Sequence, residues 1–413
     1  MTDITVIKIE MPITIPSTEI FDMMFMKLEL CFDRMNLYAN NNRMLELYHS
    51  LMINKITMEI DNLNTEFESN TLIMNWPSCY KLEYYWNDLL IIYYQILDIL
   101  IKNNKQIILA YQPGDDIEKD LKNIGYCLSN IKSNYLKNIL LHEMEYDDIW
   151  VRDFAPLQLF NDAINKYKFY KLKFNGYGKK YIFKKDALFS KNIITYLQSI
   201  DRVIKSHKNI ELLELCEDLV VEGGNITNDE QCLIMNKNPL IIHNDMSWSK
   251  IHPILEKAFK KNNLNKYYTI DVKGLIGDDT NGHIDNLVRI YDDKILYMSI
   301  KDVNHPNYLR IKNLQKQLQE IIQRPNNFNE IIPIHHDNDD VVRNKIGNIL
   351  PFSYLNYIRV EDIVIIPVNK KTNEQKKKFL RDVFSDSNVY FIECSALLNQ
   401  FGSLHCCTAN INI

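Results

Sequence analysis

The sequence predicts an α/β fold preceded by a mainly helical N-terminal extension, on three observations. From Trp76 onward, runs with helical apolar spacing alternate with short β-rich runs. Residues 1–70 have a different texture, helical and poor in chemically active side chains. The chain has 413 residues, 46% of them hydrophobic and 24% charged, enough to bury a large core in a domain spanning residues 71–413.

In the extension, "STEIFDMMFMKLELCFDRM" (17–35) opens on a capping residue and continues with apolar positions at helical spacing, as does "MLELYHSLMINKITMEI" (44–60). The polar stretches "YANNNR" and "NLNTEFESN" read as linkers. Beyond them, helices are expected over 84–103, 117–128, 250–261, 308–323 and 373–384. Strands are expected at "QIILAY" (106–111), "NPLIIH" (238–243), "KYYTIDV" (266–272), "DIVIIPV" (362–368) and "NVYFIEC" (388–394). "NLVRIYDDKILYMSI" (286–300) reads as a hairpin turning at Asp292 and Asp293. Repeated strand–helix units suit a pseudo-symmetric α/β architecture, although the sequence shows no clear internal repeat.

A net charge of -5, with no basic stretch interleaved with aromatics, excludes nucleic acid as a partner. "LLIIYYQILDILI" (89–101) is too short to span a bilayer and carries Gln95 and Asp98, so it reads as a half-buried amphipathic helix. The opening "MTDITVIKIEMPITIP" lacks the pattern of a secretory signal, and a soluble cytoplasmic protein is expected. The eight cysteines form no C-x-x-C pair, which points to neither a disulfide framework nor a zinc site. "IHHDNDD" (334–340) reads as a solvated loop rather than a metal site, because adjacent histidines seldom share one ion. The helix containing "QKKKFLRD" (375–382) is expected to present a solvated lysine face.

Chemistry concentrates in "EYDDIWVRDFAP" (145–156), "VVEGGNIT" (220–227), "GDDTNGHIDNL" (277–287) and "FGSLHCCT" (401–408). His283 and Asp285 share a face if their segment is extended, and Gly282 permits close approach. Glu222 leaves a β-like run for a glycine pair, and Trp150 offers a flat apolar wall beside Asp153. Asp147 and Asp148 read as turn residues, and Cys407 as packing, facing away from Cys406 on a strand. If the segments converge, they bring together a thiol, an imidazole, a carboxylate to orient it and two further acids. A thiol–imidazole pair alone suggests a protease, but a peptide carbonyl develops negative charge and needs donors. Two spare acids suit a guanidinium, which is planar, permanently cationic and forked.

"DDIWVRDFAP", "FNGYGKKY", "EGGNI", "DDTNGHIDN", "LPFSYLNY" and "SLHCCT" resemble, in order, the motifs of the agmatine deiminase and bacterial-type peptidylarginine deiminase family, a branch of the pentein superfamily. The resemblance runs from about Trp76 to Thr408. It implies a five-bladed pseudo-symmetric α/β propeller built from ββαβ-like units. It implies Cys406 as nucleophile, His283 as general acid and base, and Asp153 and Asp285 as the pair gripping the guanidinium. Glu222 would support His283, Trp150 would line the substrate, and Asn356 would lie near the site. The implied reaction converts agmatine to N-carbamoylputrescine through a covalent amidino-thioether, with neither cofactor nor metal. The alternatives are peptidyl-arginine as substrate, or a catalytically silent propeller acting as an interaction module. A homodimer is compatible with the reading. The sequence departs from the family in having Tyr177 where a Trp is common, and only Gly402 where the agmatine-specific branch has a glycine-rich run before the Cys motif.

Overall fold

The computed structural model describes residues 62–127, 136–161, 166–200, 210–230, 232–261, 266–324 and 328–413. The chain divides between Glu59 and Ile60 into two compact units. The expected helical extension therefore lies outside the described residues up to position 61. Its last stretch, 62–70, is part of the second unit, where strand β1 (Asn62–Leu63) pairs antiparallel with β5.

Five small sheets repeat one plan: an antiparallel pair of strands, a helical crossover, and a strand parallel to the second of the pair. One sheet consists of β5 (Leu157–Asn161), β6 (Lys166–Lys171) and β7 (Ile210–Glu214), with β1 added at its edge. The next is β8 (Thr227–Asn228), β9 (Cys232–Asn236) and β10 (Lys266–Ile270). Then come β11 (Val288–Tyr291), β12 (Lys294–Ile300) and β13 (Glu330–His336), followed by β14 (Ile358–Val360), β15 (Ile363–Val368) and β16 (Asn388–Glu393). The fifth sheet joins the two ends of the unit: β17 (Ala409–Ile411) pairs antiparallel with β2 (Thr71–Asn75), which lies parallel to β3 (Gln106–Tyr111), itself parallel to β4 (Ile139–Glu143). This is the five-bladed α/β propeller the family resemblance implies, closed by its last strand.

The central strands β2, β9 and β15 are buried along their whole length, as parallel strands covered on both faces must be. Helix α1 (Trp86–Lys102) crosses between β2 and β3 and buries Leu89, Leu90, Ile92, Tyr93, Ile96, Leu97, Leu100 and Ile101 on one face. At about 1.5–3 kcal/mol per large apolar side chain, that face supplies much of what holds its blade. Its polar face carries the Asp98–Lys102 pair at 2.6 Å. Among the described residues no helix is long and apolar enough to cross a membrane.

Several expectations need correction. The apolar run "NPLIIH" is not a strand but lies in a helix continuing directly from β9 (Lys237–Asn244). Pro239 sits in its first turn, where a missing N–H costs nothing, and Asp245 ends it in the left-handed region at φ 50°. The helix expected over 117–128 ends at Asn123 (Ile117–Asn123). The one expected over 308–323 breaks into Tyr308–Ile311 and Leu314–Ile322. His283 and Asp285 flank the start of a 3-10 turn, Ile284–Asn286, rather than lying on an extended segment. Cys407 lies in a turn before β17, not on a strand, although it is fully buried. In "IHHDNDD", Asp337 and Asp340 form a capping box, and buried Asp340 meets Lys376, which turns inward from the lysine-rich helix Glu374–Val383. The hairpin at Asp292 and Asp293 forms as expected, with Asp292 at φ 53°.

Candidate active site

The propeller's repetition accounts for where the chemical residues come from. Just before the first strand of each blade the chain makes a tight turn, and each turn delivers polar side chains to one place. Asp153 ends the turn Val151–Asp153 ahead of β5, and Glu222 precedes the turn Gly223–Asn225 ahead of β8. His283 and Asp285 belong to the turn ahead of β11, Asn356 to the one ahead of β14, and Cys406 to the one ahead of β17. All six are buried, as is Trp150, with Cys406 and Trp150 the most open at 8% and 7% exposure.

Two glycines permit the convergence. A Cβ on Gly224 would lie 2.6 Å from His283 Nδ1, 2.7 Å from Asp153 Oδ1 and 3.4 Å from Asp285 Oδ2. These three groups therefore crowd one point that only a glycine leaves open. Gly402 lies flat on the Trp150 indole, and a Cβ there would collide with the ring. The one glycine left of the family's run is the one this contact requires.

Around the thiol, the Asn356 side chain makes five contacts, one of them from Oδ1 to Cys406 Sγ at 3.4 Å. Its Oδ1 accepts the backbone N–H groups of His405 (2.9 Å) and Cys406 (3.3 Å), which orients the amide so that Nδ2 faces Cys406 Sγ at 3.2 Å and Asn286 Oδ1 at 3.2 Å. Cys406 Sγ also lies 3.5 Å from Asp285 Oδ2. Burial, then Asp285 and Asp153, push the thiol well above its ordinary value, while Asn356 works in the opposite direction.

Around the imidazole, His283 Nε2 meets Glu222 Oε2 at 2.8 Å and Nδ1 faces Asp153 Oδ1 at 3.4 Å. Burial opposes its charge, but Asp153 and then Glu222 outweigh burial and raise His283 to about 10, so it stands as imidazolium. Asp153 also accepts from Tyr177 Oη (2.7 Å) and Gly224 N (2.8 Å). Its carboxyl is nonetheless raised, first by burial and also by Glu222 and Asp285. Tyr177, standing where a Trp is common in the family, thus holds an acid of the site. Asp285 Oδ1, Glu222 Oε1 and His283 Nδ1 are buried with no hydrogen-bond partner within the protein.

Three contributors were not legible in the sequence. Glu66, read as part of a polar linker, bonds His405 Nε2 through Oε1 at 2.8 Å, and His405 Nδ1 bonds Asp285 Oδ2 at 2.8 Å. Glu66 also pairs with Arg289 and lies 3.7 Å from Arg152. No local signal marks Glu66. His405 is part of the quoted Cys motif, which pointed only to its neighbour. His243, masked by its apolar run, bonds Glu222 Oε2 through Nδ1 at 2.7 Å.

Glu222, His243 and His283 place three possible metal-ligating atoms within 4.8 Å of one another. The 2.7 and 2.8 Å separations suit hydrogen bonds to a shared oxygen. With metal–ligand bonds of about 2.05 Å they would force angles of about 85°, far from the tetrahedral arrangement of zinc.

The propeller and its buried thiol, imidazole and carboxylates define a pentein-type protein with a cysteine-centred site. The chain belongs to the Porphyromonas-type peptidyl-arginine deiminase family, whose profile matches residues 62–411. The agmatine deiminase of Pseudomonas aeruginosa is 26% identical over 302 residues, covering 66% of this chain and 76% of its own length. A substrate-bound agmatine deiminase of C. jejuni superimposes with a TM-score of 0.67 at 19% identity, covering 85% of this chain and 96% of its own. An agmatine deiminase of Enterococcus faecalis gives 0.65 at 17% identity, covering 86% and 96%.

Proposed function

We propose that this protein hydrolyses a guanidinium group, releasing ammonia and leaving a ureido product, with agmatine as the foremost substrate. The observation that carries the reading is Asp285: its Oδ1 is a buried acceptor without a partner, and its Oδ2 lies 3.5 Å from the Cys406 sulfur. A buried charged oxygen left unpaired is costly, and a planar cation with forked donors would satisfy it beside the nucleophile. Asp153 would take the other side of the cation, and Trp150 its flat face.

Cationic substrate favours the thiolate, because its charge offsets Asp285 and Asp153, the groups that keep Cys406 protonated. The thiol proton leaves to solvent, and Cys406 Sγ bonds the guanidinium carbon to give a neutral tetrahedral adduct. His283, protonated in the resting site, gives its proton to one amino group. Ammonia departs, leaving a cationic amidino-thioether and a neutral imidazole. Water then attacks the same carbon while His283 takes its proton. The C–S bond breaks and the product's hydroxyl proton returns to the thiolate, while ammonia takes up the proton first released to solvent and His283 keeps the one from water, as in the resting site. The net change is guanidinium plus water to urea derivative plus ammonium.

The burial of every participating side chain favours a small free guanidine over an arginine held in a folded protein surface. The convergence of Cys406, His283, Asp153 and Asp285 also argues against a silent scaffold. Ammonia release from agmatine, arginine and an arginyl peptide tests the reading. Turnover is expected with agmatine and its loss in Cys406→Ala, whereas silence on all three substrates would overturn the proposal.

A further inference from the structure

We propose that His243 is a positioning residue for this reaction, acting on His283 through the Glu222 oxygen that the two imidazoles share. The inference rests on the deiminase reading for its kinetic consequence, but its structural basis is independent of any substrate.

His243 lies on the helix Lys237–Asn244 and is buried. Its Nδ1 lies 2.7 Å from Glu222 Oε2, and His283 Nε2 lies 2.8 Å from the same atom. An ionised carboxylate only accepts, so both nitrogens carry hydrogen. The other nitrogen of His243, Nε2, lies 3.0 Å from Asn281 Nδ2, a donor. His243 is therefore the neutral tautomer with its proton on Nδ1, held at both ends.

Four asparagines hold this arrangement. Asn238 Nδ2 donates to the Asn281 carbonyl at 2.7 Å, and Asn281 adopts a left-handed φ of 63°, which Asn tolerates better than most residues. That turn leads directly into Gly282 and His283. Asn244 bonds both the N–H and the carbonyl of Val220, two residues before Glu222, and Asn175 Nδ2 donates to the His243 carbonyl at 2.9 Å. The helix is thus tied to the segments carrying Glu222 and His283.

Two donors on one oxygen divide its basicity. While His243 bonds Glu222 Oε2, that oxygen pulls less strongly on the His283 proton. The proposed reaction needs His283 to give that proton to the departing ammonia before it can act as a base toward water, so a proton held too firmly stalls the first step. The other groups facing His283 are Asp153, Asp285 and Asp278, with the Tyr177 ring at 6.0 Å between centroids. The three acids all favour the imidazolium. His243 is the neighbour that relieves this pull, by drawing on the Glu222 oxygen.

Histidine ¹⁵N NMR on the full-length protein tests the inference without turnover. In the unaltered protein, His243 should show the Nδ1–H neutral tautomer; the Nε2–H tautomer would overturn the proposal. In His243→Phe, which keeps bulk and removes the donor, His283 should titrate about one pH unit higher, a tenfold gain in proton affinity. The alkaline limb of kcat, where His283 loses the proton it must donate, should move upward by the same amount. His243→Asn, whose amide nitrogen can replace Nδ1, should restore both to near their original positions. An unmoved His283 titration in His243→Phe, or an unmoved alkaline limb in an active variant, would reduce His243 to packing. A moved titration in a protein silent on all guanidines would leave the coupling standing and remove the deiminase reading instead.

Discussion

Asn356 grips Cys406 with both ends of one side chain, accepting its backbone N–H through Oδ1 at 3.3 Å and facing its sulfur through Nδ2 at 3.2 Å. The backbone contact fixes where the sulfur sits, and the amide N–H favours its ionised form, since an amide N–H stabilises a thiolate better than a thiol. Asn356→Ala should therefore slow both ammonia release and iodoacetamide alkylation of Cys406 by about 10–100-fold, the range for a hydrogen bond to a charged group. Asn356→Asp places a further anion beside the sulfur and should be slower still. Equal alkylation rates in all three proteins would remove Asn356 from the chemistry.

Cys406→Ala should abolish turnover, while Cys407→Ala should retain it. Cys407 is fully buried with its sulfur 3.2 Å from the Leu404 carbonyl, so its loss should appear as about 1–2 kcal/mol in urea unfolding. The reverse assignment of activity would mean that the neighbouring thiol is the nucleophile.

Substrate binding should strengthen as pH rises. Burial, together with Glu222 and Asp285, holds the Asp153 carboxyl above the ordinary carboxylate range, and a bound cation would draw it down again. Below its raised value Asp153 must lose a proton before it can grip a guanidinium, so affinity falls by up to about tenfold per pH unit there and levels off above it. Calorimetry of agmatine binding to the Cys406→Ala protein, with proton release read from buffers of different ionisation enthalpy, measures this directly. Affinity independent of pH would count against Asp153 as a cation ligand.

Gly224→Ala should leave the fold intact and disable the site. The added methyl would sit 2.6 Å from His283 Nδ1 and 2.7 Å from Asp153 Oδ1 and would have to push them apart. A displacement on this scale typically costs about 10²-fold in rate. Unchanged kcat with unchanged circular dichroism would show that the two groups need not meet.

Glu66→Ala should be among the most destabilising single changes in the protein, by about 3–5 kcal/mol, because it leaves Arg289 and Arg152 without their shared acid. Arg289, Arg152 and His405 hold the Glu66 carboxyl well below its ordinary value despite burial, which acts the other way. A depressed native value means that this contribution is fully present above the ordinary carboxylate range and is lost as pH falls below it. Urea denaturation of the Glu66→Gln protein should therefore lose part of the unaltered protein's acid sensitivity; identical pH profiles would show that the pairing contributes nothing.

The sequence disclosed the local half of this architecture. The helical face of residues 89–101 and the Asp292–Asp293 hairpin could be read because their partners lie within a few residues. The chemical residues were legible too, because Gly, His, Trp and acids cluster around them in short motifs. Glu66 was not, because its meaning comes from Arg289 and His405, far away in the chain. His243 was hidden for a different reason: Leu240, Ile241 and Ile242 suggest a strand, and only packing against Val220 and Asn281 settles that segment as a helix.

The order of the blades has a further consequence. The sulfur is carried by the segment that latches the propeller shut, since Cys406 lies three residues before β17, which zips onto β2. Opening that short seam costs less than unfolding the whole protein, yet it withdraws the Cys406 sulfur from a centre assembled by the other four blades. Loss of activity under mild denaturant should accordingly precede loss of ellipticity and coincide with amide exchange at Ala409–Ile411, making the reaction itself a gauge of whether the ring is fastened.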